Sequence, residues 1–152
     1  MKLWILRHGE AHNAAATDPQ RELTPGGREQ VLRSAAHLLG EPLQAIFVSP
    51  YIRAQQTAQL VLEALGNGPT LATVPWLTPG SDPDQVLTQL SRFDHEQVLV
   101  VSHQPLVGSL LGLLEKGDRA HQAHPMHTAS LAELEGEAPL ANLMSLRSLY
   151  HP

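Results

Sequence analysis

The stretch LWILRHGE, residues 3–10, runs four apolar residues directly into an arginine, a histidine and a glycine. A short apolar run of this kind predicts a buried β-strand. The glycine that follows would let a ligand approach the backbone closely. Ligands of open α/β sheets bind beyond the carboxyl ends of the strands. Arg7 and His8 therefore stand where an anion-handling active site is expected.

Strand-like and helix-like segments alternate along the rest of the chain. Apolar runs predict strands at 45–48, 71–74 and 98–101, and one or two partly exposed strands follow residue 129. Helices are predicted to start near residues 25, 50, 83 and 105. This alternation predicts a single domain over residues 1–152. Its expected fold class is α/β, a three-layer α/β/α sandwich with a mainly parallel central sheet.

The first predicted helix has two features of helix starts, Thr24 as N-cap and Pro25 as first residue. Asp82 is likewise predicted to cap the helix that starts at Pro83. Apolar residues recur at helical spacing in the first helix, and they are predicted to form its buried face: Val31, Leu32, Ala35, Ala36, Leu38 and Leu39.

The composition is that of an ordinary globular domain, with 152 residues, 42% of them hydrophobic and 16% charged. A formal net charge of −5 argues against nucleic acid as a partner, since nucleic-acid binding needs a basic surface. Any anion site must then be a local basic pocket. The lack of cysteine excludes disulfides, thiolate metal sites and a cysteine nucleophile.

Two further absences bear on location and assembly. No apolar run approaches the ~20 residues of a membrane span, and the residues before Arg7 lack the pattern of a signal peptide. We therefore expect a soluble, cytoplasmic protein with no membrane partner. Because no exposed apolar stripe is sustained along the sequence, we expect a monomer.

Three predicted strand-to-helix junctions carry residues suited to a phosphoryl group. Arg7 and His8 follow the first strand, Arg53 lies in the first turn of the helix after the second, and His103 follows the Val-rich strand 98–101. Arginine forks bind phosphoryl oxygens, and helix amino termini favour negative charge. A histidine nitrogen can attack phosphorus. The three junctions together predict a phosphate-handling site.

The motifs at these junctions resemble those of the histidine phosphatase superfamily, in its phosphoglycerate-mutase-like branch, and they recur in the same order. They are Arg7-His8-Gly9-Glu10, Leu23-Thr24-Pro25-Gly26-Gly27-Arg28, Ser49-Pro50-Tyr51-Ile52-Arg53-Ala54-Gln55-Gln56-Thr57-Ala58 and Val101-Ser102-His103-Gln104-Pro105-Leu106-Val107. The short chain, Leu77-Thr78-Pro79 and the segment 125–130 are most similar to SixA-type phosphohistidine phosphatases. The resemblance covers roughly residues 2 to 135.

The resemblance implies a phosphoglycerate-mutase-like fold and a role for each of four residues. His8 would be the nucleophile and would form a transient phosphohistidine. Arg7 and Arg53 would bind phosphate, and His103 would contact the phosphoryl group and stabilise charge. No metal or cofactor is implied. On physical grounds the flanking arginines should lower the pKa of His8, and we expect a backbone carbonyl near Gly9 to fix its tautomer.

The proton donor that many relatives carry has no counterpart in this sequence. Residues 76–82 contain no glutamate, and Asp82 is better explained as an N-cap. An alkoxide leaving group needs an acid catalyst, whereas an imidazole needs less help. The sequence therefore favours phosphohistidine as substrate, in a phosphorylated protein or a small phosphoramidate. Short loops suggest an open pocket, which suits a protein substrate. Asp18 and Glu10 are the remaining candidate acids.

The sequence is compatible with other functions. One is a small-molecule phosphomonoesterase of the same superfamily, with Asp18 or Glu10 as the acid. Another is a catalytically silent phosphate-binding module. His121, His124 and His127 are spaced like metal ligands, but Pro125 interrupts any helix that would align them, so solvated loop histidines are expected.

Overall fold

The computed structural model describes residues 1–121 and 124–152. Six strands and four helices follow one another in these ranges: β1 (Lys2–Arg7), α1 (Pro25–Ala35), β2 (Ala45–Val48), α2 (Ile52–Leu65), β3 (Leu71–Thr73), α3 (Pro83–Leu90), β4 (Gln97–Ser102), α4 (Leu106–Lys116), β5 (Leu131–Gly136) and β6 (Met144–Tyr150). Short 3-10 turns lie at Asp18–Gln20, Ala36–Leu38 and Pro75–Leu77.

The strands form one mixed sheet in the order β3-β2-β4-β1-β5-β6. The first four strands in this order are parallel, and β5 and β6 are antiparallel to their neighbours. Strand β4 lies between two parallel partners and all six of its residues are buried, as its near-continuous apolar sequence predicts. Arg7 pairs with Ser102, and Val48 with Val101. The carboxyl ends of β1, β2 and β4 therefore lie side by side.

Helices cover both faces of this sheet, which confirms the predicted fold class. Alternate residues of β1 point to opposite sides, with Trp4 and Leu6 in one core and Leu3 and Ile5 in the other. The first core is completed by residues of α1 and α2, and the second by residues of α3 and α4. The longest helix, α2, has 14 residues, so no described helix has the length and apolar character needed to cross a membrane.

The helix starts follow the local chemistry of the sequence. The Thr24 hydroxyl accepts the Gly27 amide at 2.9 Å, and the Asp82 carboxylate accepts the Asp84 amide at 3.0 Å. Both helices have proline in their first turn. The capping role predicted for Thr24 and Asp82 is therefore confirmed.

The buried face predicted for the first helix is wrong in part. Leu32 is 46% exposed, Leu39 is 59% exposed, and Ala36 is also exposed. Leu32 follows Val31, and a step of one residue turns the side chain by about 100° away from the buried stripe. The helix gives way to a 3-10 turn after Ala35, and Leu39 beyond that turn has an extended backbone. The helical spacing therefore no longer applies to Leu39.

The start of α1 packs against residues 9 and 10, which follow β1. The two backbone segments are so close that no side chain fits between them. A Cβ atom on Gly9 would lie 2.6 Å from the carbonyl oxygen of Gly27, and one on Gly27 would lie 2.1 Å from the carbonyl oxygen of Glu10. Real Cβ contacts are not this short, so both positions need glycine. This close approach holds residues 9 and 10 in a fixed place.

Gly26 and Gly27 offer a matched pair of substitutions that tests this packing. We expect Gly27→Ala to lower the free energy of unfolding by about 3 kcal/mol, because backbone atoms must move. Gly26 is exposed, and its added Cβ would meet nothing closer than 3.8 Å. Gly26→Ala should leave stability unchanged or raise it by up to about 1 kcal/mol. Urea unfolding measures both, and equal effects would contradict the account.

Candidate active site

The four residues singled out from the sequence lie together at the carboxyl edge of the sheet. The rings of His8 and His103 are 5.0 Å apart between centroids. Arg53 Nε lies 3.3 Å from His8 Nε2. These three residues are buried, with 6%, 1% and 4% of the surface of His8, His103 and Arg53 exposed. Arg7 precedes His8 at the end of β1. The three junctions thus converge on one site.

The backbone fixes the protonation pattern of the His8 ring. His8 Nδ1 lies 2.7 Å from the carbonyl oxygen of Gly9. A carbonyl can only accept a hydrogen bond, so Nδ1 carries the ring proton of the neutral imidazole. Nε2 then holds a lone pair, which accepts the N–H of Arg53 Nε. The expected contact between His8 and a carbonyl at Gly9 is therefore present.

The site keeps both histidines neutral. Burial, with smaller contributions from the charges of Arg53, Arg7 and Arg21, lowers the pKa of His8 to about 4, against the raising effect of the Gly9 hydrogen bond. Burial also lowers the pKa of His103 to about 3, with smaller contributions led by His8. The sequence pointed to the arginines as the cause, and the structure assigns the larger effect to desolvation.

Arg7 is held by the turn that precedes β5. Its Nη1 donates to the carbonyl oxygen of Met126 at 2.9 Å. Its backbone amide donates to the carbonyl oxygen of Ser130 at 3.1 Å. Burial and the charge of Arg53 lower its pKa, but a guanidinium remains charged in proteins. Arg7 Nε is buried and has no partner among the described residues. A buried donor of this kind suits an anion.

Asp18 binds two arginines at once, an arrangement that the sequence analysis missed. Its carboxylate lies 3.1 Å from Arg21 Nη1 and 3.2 Å from Arg53 Nη2, and its backbone carbonyl accepts Arg53 Nη1 at 2.8 Å. The hydrogen bond from Arg21, with that from Arg53, lowers the pKa of Asp18. Asp18 therefore stays ionised at neutral pH and is a poor candidate for a proton donor.

The second candidate acid, Glu10, faces the first helix. Its carboxylate accepts the hydroxyl of Thr24 at 3.0 Å, and its backbone amide donates to Gln30 Oε1 at 3.0 Å. Glu10 is exposed. These contacts tie Glu10 to the start of α1.

Thr57 connects the segment that follows β1 to the helix that carries Arg53. The amide of Gly9 donates to Thr57 Oγ1 at 3.1 Å, and the Thr57 hydroxyl donates to the carbonyl oxygen of Arg53 at 2.8 Å. Thr57 is fully buried. Its position four residues after Arg53, one helical turn away, is the signal that could have identified this link from the sequence.

Two of the three loop histidines that are spaced like metal ligands, His124 and His127, engage separate partners. His124 Nε2 lies 3.0 Å from a carboxylate oxygen of Glu115, and the His127 ring stacks on that of His151 at 4.4 Å. Within residues 1–121 and 124–152, no three His, Asp or Glu side chains are grouped as metal ligands.

A family model and two known proteins match this chain at the level of sequence. A family model described as the histidine phosphatase superfamily (branch 1) matches residues 3–76. The phosphohistidine phosphatase SixA of Escherichia coli is 36% identical over 135 residues, which are 86% of this chain and 81% of that protein. A SixA homolog of Haemophilus influenzae is 34% identical over 75% of this chain and 77% of that protein.

Solved structures show the same fold. The protein histidine phosphatase SixA complexed with tungstate superposes with a TM-score of 0.88 at 29% identity, over 100% of this chain and 97% of the other. An α-ribazole-5′-P phosphatase of Escherichia coli superposes with a TM-score of 0.76 at 22% identity, over 97% of each chain. The second likeness bears on the fold alone.

The depressed pKa of His8 predicts how stability depends on pH. The unfolded chain protonates its histidines near pH ~6.5, whereas folded His8 does so at about 4. The unfolded state therefore binds more protons between these values, and the free energy of unfolding should fall as pH falls through this window. Urea unfolding at several pH values measures the slope. His8→Asn should reduce the slope, while the contribution of His103 remains, and an unchanged slope would contradict the assignment.

Proposed function

The chain belongs to the histidine phosphatase superfamily, and on that premise we propose that it hydrolyses phosphohistidine through a covalent intermediate on His8. The substrate is a phosphorylated protein or a small phosphoramidate. The observation that carries the proposal is the unprotonated Nε2 of His8, which is turned towards the Arg53 guanidinium by the Gly9 carbonyl. A neutral nitrogen beside fixed cations is the nucleophile that phosphoryl transfer needs.

The reaction proceeds in two displacements at phosphorus. In the first, the lone pair of His8 Nε2 forms a P–N bond while the P–N bond of the substrate breaks, and the departing imidazole nitrogen keeps the electron pair and takes up a proton from solvent. In the second, water forms the new P–O bond, the bond to Nε2 breaks and inorganic phosphate leaves. Arg7 and Arg53 stabilise the charge on the phosphoryl oxygens in both steps.

The charges around the site match a phosphoryl group. Three arginines, Arg7, Arg21 and Arg53, act on His8, and Asp18 is the carboxylate that binds two of them. With both histidines neutral, these four side chains leave a local charge of about +2 in a protein whose formal net charge is −5. A doubly charged phosphoryl group is the complement of this pocket.

Asp18, Glu10 and Asp82 are each poorly placed to act as the acid, which supports a phosphohistidine substrate over an alkyl phosphate. Asp18 is held ionised by Arg21 and Arg53. Glu10 is bound to Thr24, and the Asp82 carboxylate accepts an amide of its own helix. An alkoxide leaves slowly without a proton donor, whereas an imidazole leaves readily. The chemistry available at this site therefore fits an imidazole leaving group.

Partner, assembly and location form part of the same proposal. The partner is a protein that carries phosphohistidine, or a small phosphoramidate; the SixA of the tungstate complex is itself named a protein histidine phosphatase. No metal or cofactor takes part. The chain acts as a monomer in the cytoplasm. Size-exclusion chromatography tests the oligomeric state, and cell fractionation tests the location.

Substrate preference tests the leaving-group argument. We expect kcat/KM for a phosphohistidine peptide to exceed that for a sugar phosphate by about 100-fold or more, the factor that a missing general acid costs an alkyl phosphate. Both rates should be unchanged by a chelator. Equal rates on the two substrates would refute the argument, and a loss of activity with chelator would indicate a metal.

Replacing the nucleophile separates an enzyme from a phosphate-binding module. We expect His8→Ala to lose turnover of p-nitrophenyl phosphate by about 1,000-fold or more, because the covalent route is removed. Phosphate should still bind, since Arg7 and Arg53 remain, and calorimetry measures this. An active His8→Ala variant would exclude the mechanism. A wild-type protein that binds phosphate without turnover would indicate a silent module.

A further inference from the structure

Ser49 contacts His103, and the mechanism above gives it no role. It follows β2 directly and is fully buried. Its Oγ lies 2.7 Å from His103 Nε2 and accepts the backbone amide of Tyr51 at 3.2 Å. The second contact is the local turn that serine commonly makes with an amide two residues on. The first ties the hydroxyl to a ring in the active site.

The hydrogen bonds around Ser49 indicate which of the two residues, Ser49 or His103, donates to the other. The Ser49 oxygen already accepts the Tyr51 amide, and its own proton has His103 Nε2 as its acceptor among the described residues. If His103 Nε2 carried the proton instead, the Ser49 hydroxyl would be left without an acceptor while fully buried. A buried unpaired hydroxyl is costly. The pairing is therefore best satisfied when Ser49 donates to Nε2.

The direction of the Ser49–His103 hydrogen bond determines whether His103 Nδ1 can donate a hydrogen bond to a substrate. A neutral imidazole carries one proton, so an Nε2 that accepts implies an Nδ1 that donates. His103 Nδ1 is buried and has no partner among the described residues. An N–H donor stabilises the negative oxygens of a phosphoryl group in transfer, whereas a lone pair at the same position would repel them.

We propose that Ser49 is a positioning residue that fixes His103 as the Nδ1–H tautomer, so that its ring serves as a neutral hydrogen-bond donor to the phosphoryl group. The donor role rests on the proposed function, while the tautomer does not. The ring has little freedom to turn away. Tyr51 packs against it edge-on with ring centroids 5.0 Å apart, and His8 lies on another side at the same distance.

Only a neutral imidazole has two tautomers, and the surroundings of His103 keep its ring neutral. Burial, the neighbouring His8 and the charge of Arg53 all lower its pKa, to about 3, and outweigh the opposing effect of Asp18. The titratable groups that act on the ring are thus those already described at the site. At neutral pH His103 is an uncharged imidazole whose single proton has two possible positions.

Nitrogen NMR of the wild-type protein tests the tautomer without reference to activity. In uniformly ¹⁵N-labelled protein at neutral pH, we expect the Nδ1 of His103 to show the shift of a protonated nitrogen and Nε2 that of an unprotonated one. The signals are assigned by comparison with a His103→Gln sample. The reverse pattern would overturn the proposal, whether or not the protein proves to be a phosphatase.

Kinetics test the consequence for catalysis, with a second buried serine as the control. Ser102 is also fully buried beside His103, but its hydroxyl donates to the carbonyl oxygen of Leu77 at 2.6 Å. We expect Ser49→Ala to lower kcat for p-nitrophenyl phosphate by about 10- to 100-fold, the loss typical when a partner that orients a metal-bound histidine is removed. KM should change less. Ser102→Ala should keep kcat within about threefold, since it leaves the His103 ring untouched.

Two further results complete the test. Ser49→Thr keeps a hydroxyl and should recover most of the kcat lost in Ser49→Ala. In Ser49→Ala the His103 signals should shift from the wild-type tautomer pattern. If the kcat of Ser49→Ala equals that of Ser102→Ala, the positioning role of Ser49 in catalysis is overturned. If Ser49→Ala does not fold, the tautomer measured in the wild-type protein still decides the proposal.

Discussion

His8 donates its Nδ1 proton to the carbonyl oxygen of Gly9 over 2.7 Å, and the chemistry of the site follows from this bond. It leaves Nε2 as a lone pair beside Arg53. The bond depends in turn on the position of the Gly9–Glu10 backbone, which packs against Gly27 without room for a Cβ atom. A contact between two backbone segments thus determines which nitrogen of the His8 ring carries the proton.

The parallel sheet explains why few residues suffice for such a site. Strands β1, β2 and β4 end side by side, and each delivers polar residues to the same edge. Burial at this edge keeps His8 and His103 neutral, while arginines remain charged in the same surroundings because their pKa is so high. The same desolvation therefore yields neutral nitrogens and permanent cations within one pocket.

The local signals in the sequence predicted much of the fold and the convergence of four site residues. Helix caps such as Thr24 depend on neighbouring residues, and strand ends follow from apolar runs. The contact between Asp18 and Arg53 spans 35 residues, and no local pattern encodes it. The exposed Leu39 follows a change from α-helix to 3-10 turn, which periodicity does not reveal. The roles of His8 and His103 in catalysis stay predictions.

The central claim is that the Nε2 nitrogen of His8 takes up the phosphoryl group. Incubating ¹⁵N-histidine-labelled protein with phosphoramidate and recording the ³¹P–¹⁵N coupling of the trapped phosphoenzyme measures this directly. We expect one phosphorylated residue, His8, with phosphorus bonded to Nε2 and Nδ1 still protonated. Phosphorus on Nδ1, or on His103 or another residue, would contradict it.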